Sequence, residues 1–569
     1  MEKNYNFQDL FNQKKYSKII YIIEFELPDE KKNLSIINLL GVCRLLQNNR
    51  TKEDLILALE NFKSVYKKER QTEISLTAFR NYVNVVADLY DLDKSEAQTK
   101  KTYGYFEEAL NFFYNDESYF INDELSVLAI IRIHKRLLDI NKVKFLLGEL
   151  IKKKYYRPSN ICSYIYYNLF FKDWSQEKFL EYGKVLCENL PNYSQDKLFP
   201  IENKVNKKIT IGFLSGDIRS KHSITYFLKT IVDTYNKSKY SINLYLNQNK
   251  SQEDETTQYF LKNVDKFTYI KNLKDEEAIN LIRKDGVDIF IDLIGVTSNT
   301  RLSLVKNRVA GTQILWCGYN NTTGLKEIDY ILSDPNLIYE SEKNMYTEKI
   351  LYLPKIWNCH SGLDLKRQFI PSPITKNNYI TFGSFNNFNK ISDPVVNAWS
   401  KILKSIKNSK LILKSSIPRI NNLLVKKFKD ENILDSLEFI PFAENFESHI
   451  KSYQMIDIAL DTFPYPGVTT SFEAIWMSTP VLTMKGYNFN SRCGESINKN
   501  LGLDWLVSKN EEDYVMKAKE LSKKTDYLFE LRKKLFDEAT KSPLFDTESF
   551  SSEFFKILSF FVKEIAFSI

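Results

Sequence analysis

Apolar residues recur at three- and four-residue spacing through the first 200 positions. Ile36, Leu39, Leu40, Cys43 and Leu46 fall on one helical face, and Leu55, Ala58, Leu59, Phe62 and Val65 on another. Strand-type alternation is nearly absent there, and glycine and proline are rare. The pattern predicts helix pairs joined by polar turns, packed as a bundle or a solenoid.

After Pro200 the texture changes to short β-branched and aromatic runs alternating with helical patterns. Strands are expected over 209–214, 242–246, 267–270, 287–291, 312–316, 330–332 and 349–353, with helices near 223–236 and 275–284. Pro371-Ser372-Pro373 marks a break, and the alternation restarts. A second set of strands is expected over 379–382, 410–413, 437–440, 457–460 and 480–483. Helices lie between them near 393–407, 418–430, 446–453 and 470–477, and the tail from about 511 is helical. This order predicts two doubly wound parallel-sheet α/β units, with a ligand cleft at their strand carboxyl ends. The domain boundaries expected are 1–200 for the helical part, 205–370 and 375–545 for the two α/β halves, and 546–569 for a helix that packs back.

The helical part carries one faint repeat. Gly41 sits on a first helix, Ala58 and Phe62 lie one turn apart on a second, and Ala109 and Phe113 repeat that spacing. This resembles a degenerate tetratricopeptide (TPR) repeat, in which small residues let paired helices approach closely. A generic helical domain is the alternative.

Bulk properties narrow the function. Hydrophobic residues make up 43% of 569 and charged residues 27%, a globular balance. The net charge of +8 is spread along the chain, and runs such as Lys152-Lys153-Lys154 read as solvated helix faces. Nothing in that pattern calls for nucleic acid as a partner. Six scattered cysteines and four histidines offer no zinc or redox spacing, so no metal is expected. No apolar run approaches the ~20 residues of a membrane helix, and the first residues lack a signal pattern. A cytoplasmic, membrane-free protein is the expectation.

Three strand-to-helix loops could carry chemistry. In Asp461-Thr-Phe-Pro-Tyr-Pro-Gly467-Val-Thr469-Thr470, a buried strand ends at an acid and a helix begins with hydroxyls. Glycine permits close backbone approach, and a helix start favours an anion. The same residues could simply cap the helix. Lys390, in the loop that begins Gly383-Ser384-Phe385-Asn386-Asn387, could neutralise a departing diphosphate. His222, after Ser215-Gly216-Asp217, could hold or deprotonate an acceptor hydroxyl. His449 could stack on a base or sit on a solvated face. There is no GxGxxG fingerprint, no P-loop and no close Asp-x-Asp pair, which argues against dehydrogenase, kinase and metal-dependent transferase chemistry.

Taken in order, the motifs resemble the protein O-GlcNAc transferase and SPINDLY family, glycosyltransferase family 41, over about residues 205–555. They are Ile211-Gly-Phe-Leu-Ser-Gly-Asp217 with His222, Asp285-Gly286-Val287-Asp288, Trp316-Cys-Gly318-Tyr319, Phe385-Asn386 with Lys390, His449, Asp461-Thr-Phe-Pro-Tyr with Gly467-x-Thr469-Thr470, Ser491-Arg492, and Ser542-Pro-Leu-Phe-Asp-Thr547. The Asp-Thr-Phe-Pro-Tyr version is closer to SPINDLY and bacterial members and points to the bacterial SPINDLY-like branch, while Val468 stands where animal members have a histidine that contacts the donor.

The resemblance implies a GT-B fold and inverting, metal-independent transfer of a sugar to Ser or Thr of a protein. UDP-GlcNAc is the first donor; GDP-fucose and UDP-glucose stay open, as does an asparagine acceptor. It implies catalytic roles for Lys390, His222 and Asp285, with Asp285 as a proton shuttle. Gly318, Tyr319, Asn386, Asn387, His449, Asp461, Gly467, Thr469 and Thr470 would bind the nucleotide sugar. The partners expected are a protein acceptor and the nucleotide sugar, with self-association through the helical domain left open. The non-enzyme alternative is a helical scaffold carrying a degenerate transferase domain.

Overall fold

The structure is a computed structural model that describes residues 5–92, 96–193, 208–220, 222–363, 365–415, 418–429, 432–441 and 445–567. The expected boundary near residues 200–205 lies outside the described residues. The chain forms two compact units, one made of the residues up to Tyr155 together with the short segment that ends at Leu423, and the other of the remaining residues from Tyr156 on.

The first unit is helical. Its main helices are Leu34–Leu46, Lys52–Lys68, Glu73–Leu92, Glu96–Asn115, Glu124–Arg136 and Ile140–Lys152. Thr51 starts the second of these with a capping box, since its side chain accepts from the Asp54 N–H and Asp54 accepts in return. The repeat positions earn their residue types. A Cβ on Gly41 would lie 2.7 Å from the Phe62 ring, and Ala58, Phe62, Ala109 and Phe113 are all fully buried. Phe79, Phe113 and Phe120 stack with Tyr66 into an aromatic core. Each such ring contributes roughly 2 kcal/mol by leaving water.

The second unit opens with the helices Pro158–Asn168 and Gln176–Asn189 and continues into two parallel sheets. The first sheet has seven strands: β1 Ile209–Ser215, β2 Tyr240–Leu246, β3 Lys266–Tyr269, β4 Ile289–Asp292, β5 Thr312–Leu315, β6 Tyr330–Ser333 and β7 Lys349–Tyr352. Their order is β3-β2-β1-β4-β5-β6-β7. The second sheet has six: β8 Thr381–Ser384, β9 Lys410–Lys414, β10 Leu437–Ile440, β11 Ile458–Leu460, β12 Val481–Met484 and β13 Val507–Ser508. Their order is β10-β9-β8-β11-β12-β13. The strands read from the sequence are present, with ends moved by no more than two residues. The two-residue β13 is extra, being too short to leave an apolar run.

Strand order reverses between β1 and β4 in one sheet and between β8 and β11 in the other. Crevices open at those switch points, at the strand carboxyl ends. The two sheet domains, each with helices between its strands, form a GT-B fold.

Several contacts fix the halves to each other. Arg492 of the second half grips Glu342 of the first with both terminal nitrogens, at 2.6 and 2.7 Å. Its guanidinium lies 4.0 Å from the centre of the Tyr339 ring. Ser496 donates to buried Asp334 at 2.7 Å. The last helix, Thr547–Phe567, returns to the first sheet and places Phe554 on Trp316, Phe555 on Tyr240 and Phe561 on Tyr330.

The helix Gln176–Asn189 meets the loop after β5 backbone to backbone. A Cβ on Gly324, whose φ is +76°, would lie 2.0 Å from the Gly183 carbonyl carbon. Gly324→Ala therefore meets both strain and a clash that no side chain can relieve. It should destabilise the second unit by about 3 kcal/mol, read as a lowered melting temperature. A surface Gly104→Ala control, where a Cβ meets nothing within 4 Å, should not.

Candidate active site

Both loops flanking the second switch point converge on one carboxylate. β11 ends at Leu460, and Asp461, 2% exposed, follows it. Its Oδ1 accepts from the N–H of Gly467 at 2.6 Å and of Thr462 at 2.9 Å, and its Oδ2 from the Thr483 hydroxyl at 2.8 Å. Asn386, in the loop after β8, reaches the same Oδ1 at 3.4 Å. Burial pushes the Asp461 carboxyl up to about 6 despite these donors and nearby Lys390. Its hydrogen bonds go to the protein's own loops. Asp461 thus organises the site, and its Oδ2, with the Thr483 hydroxyl as its one described donor, keeps a lone pair for the expected ribose contact.

The loop so tied ends in the helix Thr469–Trp476. Thr470 donates to Asn386 at 2.9 Å, joining the two loops again. A Cβ on Gly467 would sit 2.4 Å from the Thr470 hydroxyl, so only glycine lets this turn close. The Thr469 hydroxyl is buried and has no hydrogen-bond partner. The N–H groups of Ser471 and Phe472 donate to the Val468 carbonyl, while those of Thr469 and Thr470 precede any helical acceptor. Together they form a donor-rich pocket suited to an anion.

Lys390 supplies the matching charge. It closes a short turn started by Asn387, whose side chain accepts from the Asn389 N–H at 3.0 Å. Its ammonium donates to the Pro466 carbonyl at 2.8 Å and sits 4.2 Å from the centre of the Tyr465 ring. Burial lowers its pKa to about 8, with Asp461 pulling the other way. The Tyr465 ring is backed by Phe170, 5.0 Å away, from the segment after the helix Pro158–Asn168.

Further along the same helix, Glu473 accepts from the Tyr453 hydroxyl at 2.9 Å and meets Nε2 of His449 at 3.3 Å. Nδ1 of His449 lies 2.7 Å from the Lys414 ammonium, at the end of β9. Phe385, Asn386, Tyr453, Asp461 and Thr470 line a narrow crevice of about 10 Å³.

The first half contributes the loop after β1. His222 begins the helix Ser223–Thr234, with Nε2 3.8 Å from Asp217 and a buried Nδ1 that has no partner. Burial lowers its pKa and Arg219 adds to this, while Asp217 opposes. One turn on, the Tyr226 ring stacks at 4.4 Å on His360 and at 6.2 Å on Phe446, which neighbours His449. Gly318 and Tyr319 follow β5. A Cβ on Gly318 would overlap the Leu293 carbonyl at 1.9 Å, and Tyr319 is 2% exposed. Both are tightly packed, the buried Tyr319 hydroxyl has no hydrogen-bond partner, and they lead to Asn320, whose amide reaches Cys493 at 3.5 Å, beside Lys390 and Asp461.

Asp285 is the exception. It caps the helix Asp275–Lys284, ahead of β4 and therefore at the amino end of the sheet. There it accepts from the Tyr245 hydroxyl at 2.8 Å and pairs with Lys266. The carboxylate beside His222 is Asp217, a motif residue with no expected role of its own. Glu473 and Lys414 are not among the expected site residues. Glu473 stands one helical turn from Thr469, so its spacing was a usable signal.

Among the described residues no group of three or more His, Cys, Asp and Glu side chains comes together, and no helix is long and apolar enough to cross a membrane.

Two facing parallel-sheet halves with an anion pocket at the second switch point define a GT-B glycosyltransferase architecture. The chain belongs to glycosyl transferase family 41, whose sequence profile matches residues 181–370 and 372–554. It is 33% identical over 368 residues to a protein from Hordeum vulgare named probable UDP-N-acetylglucosamine–peptide N-acetylglucosaminyltransferase SPINDLY, covering 63% of this chain and 39% of that one. The SPINDLY protein of Arabidopsis thaliana is 32% identical over 356 residues, with 61% and 38% covered. The chain thus spans about two fifths of the length of these curated relatives. A mutant of Thermobaculum terrenum O-GlcNAc transferase shares the fold with a TM-score of 0.76 at 20% identity, over 95% of this chain and 99% of that one.

Gly467→Ala should raise KM for the donor by about tenfold or more through the clash with Thr470. Initial-rate kinetics with an unchanged circular dichroism spectrum would check it.

Proposed function

We propose that the protein transfers a sugar, N-acetylglucosamine from UDP-GlcNAc in the first instance, to Ser or Thr side chains of proteins with inversion. The observation that carries this reading is the Lys390 ammonium held on the Pro466 carbonyl, three residues ahead of the partnerless Thr469 hydroxyl at a helix start. A buried cation and a set of fixed donors there suit a diphosphate leaving group. The names of the plant relatives support the donor and the acceptor class. Identity of 32–33% to SPINDLY proteins, against 25% to the Arabidopsis thaliana protein SEC, favours the SPINDLY-like branch. A bacterial position within that branch rests on the Asp461–Tyr465 segment alone. The same segment favours GDP-fucose as the second donor reading.

In the reaction, the acceptor hydroxyl attacks the anomeric carbon from the face opposite the nucleotide. Its oxygen bonds to that carbon as the bond to the diphosphate oxygen breaks. His222 takes the hydroxyl proton, with Asp217 nearby to stabilise the imidazolium. Lys390, Thr469, Thr470 and the amides after Gly467 take up the charge of the departing diphosphate. His449 and Glu473 hold the nucleoside, and the buried Asp461 with Asn386 keeps both loops in place. In this reading Lys390 fills the role that a divalent ion plays elsewhere. Residues 205–370 form the acceptor half, 375–545 the donor half, and the helical segment handles the acceptor chain.

Calorimetry with UDP and GDP side by side, in EDTA, tests the reading. Tight UDP binding supports a GlcNAc-type donor, a GDP preference moves the assignment to fucose, and binding of neither leaves a scaffold.

Lys390→Met should cut kcat by about a hundredfold or more with the fold intact. Because burial holds the lysine near 8, its charge is present below that pH and lost above it. Donor kcat/KM should therefore fall as pH rises through about 8, and this limb should be missing from Lys390→Met. Near-normal turnover in that variant would sink the assignment.

A further inference from the structure

The nucleoside end of the proposed donor site contains a device that the mechanism above does not use. Lys414 ends β9 and is 3% exposed. Its ammonium reaches Nδ1 of His449 at 2.7 Å, the His449 carbonyl at 3.2 Å and the Ser452 hydroxyl at 2.9 Å. The Phe385 ring lies 5.3 Å from the ammonium on another side.

An ammonium can only donate. Nδ1 of His449 must therefore accept, and the ring proton belongs on Nε2. That nitrogen faces Glu473 at 3.3 Å, an acceptor already fixed by the Tyr453 hydroxyl. The two ring nitrogens are thus held from opposite edges by groups 59 residues apart in sequence, counted from Lys414 to Glu473. The imidazole plane cannot turn without losing both partners. With 27% of its side chain exposed, the ring keeps a face open.

We propose that Lys414 is a positioning residue for the nucleoside: it fixes His449 as the Nε2–H tautomer and holds the ring face presented to the base. The proposal rests on the reading that the base packs against His449.

The four histidines of the chain make a direct test practical. In protein labelled with ¹⁵N-histidine, the His449 resonances, assigned by their loss in His449→Gln, should report the Nε2–H tautomer. In Lys414→Met, which keeps the length of the side chain, they should shift toward a tautomer mixture. UDP affinity should fall about tenfold while kcat at saturating donor stays within about twofold. Lys414→Arg, which can still donate, should recover most of the affinity.

An Nδ1–H signal in the unaltered protein would overturn the proposal, as would unchanged UDP affinity in Lys414→Met. His449→Ala separates the two failures. If it leaves UDP affinity intact, the placement of the base fails and the proposal with it. If it weakens UDP while Lys414→Met does not, the placement stands and only the role of Lys414 is lost.

Discussion

The burial of one carboxylate organises the donor half. Asp461 brings together the end of β11, the turn at Gly467, the loop after β8 through Asn386 and the end of β12 through Thr483. An ionised carboxylate out of water is unfavourable unless donors surround it. Here the donors are the loops themselves, so the requirement to satisfy the charge also sets the shape of the anion pocket. Removing the carboxylate would orphan several N–H groups at once. The residue most visible as a ligand candidate is therefore also the scaffold of the loops around it.

The first half is held to this scaffold by independent ties. Arg492 with Glu342, Ser496 with Asp334 and Asn320 with Cys493 all cross between the halves close to the carboxyl ends of the strands. Phe170 and Gly183 carry the preceding helix pair onto one half each, at Tyr465 and at Gly324. The reacting loops are therefore braced from behind. Binding energy of the donor can then be directed at charge development rather than at closing a loose cleft.

The fold was largely legible in the chain because strands between helices must be apolar on both faces. Runs such as Ile209–Ser215 and Val481–Met484 announce this, whereas β13 has only two residues and announces nothing. Lys390, Thr469 and Thr470 were legible because each follows a strand into a helix. Asp285 precedes its strand, and the end of the sheet on which it falls outweighs its place in a motif. The couplings of Lys414 to His449 and of Tyr465 to Phe170 join distant segments, and no local pattern encodes them.

The glycine-on-glycine contact between the helix Gln176–Asn189 and the loop after β5 has an evolutionary reading. Two backbones this close admit no side chain on either partner, so neither segment can be exchanged alone. Gene fusions that add or trim helical repeats have to respect that seam. The compact unit that holds both sheets therefore begins at Tyr156, ahead of the first strand, and takes the helix that makes this contact with it.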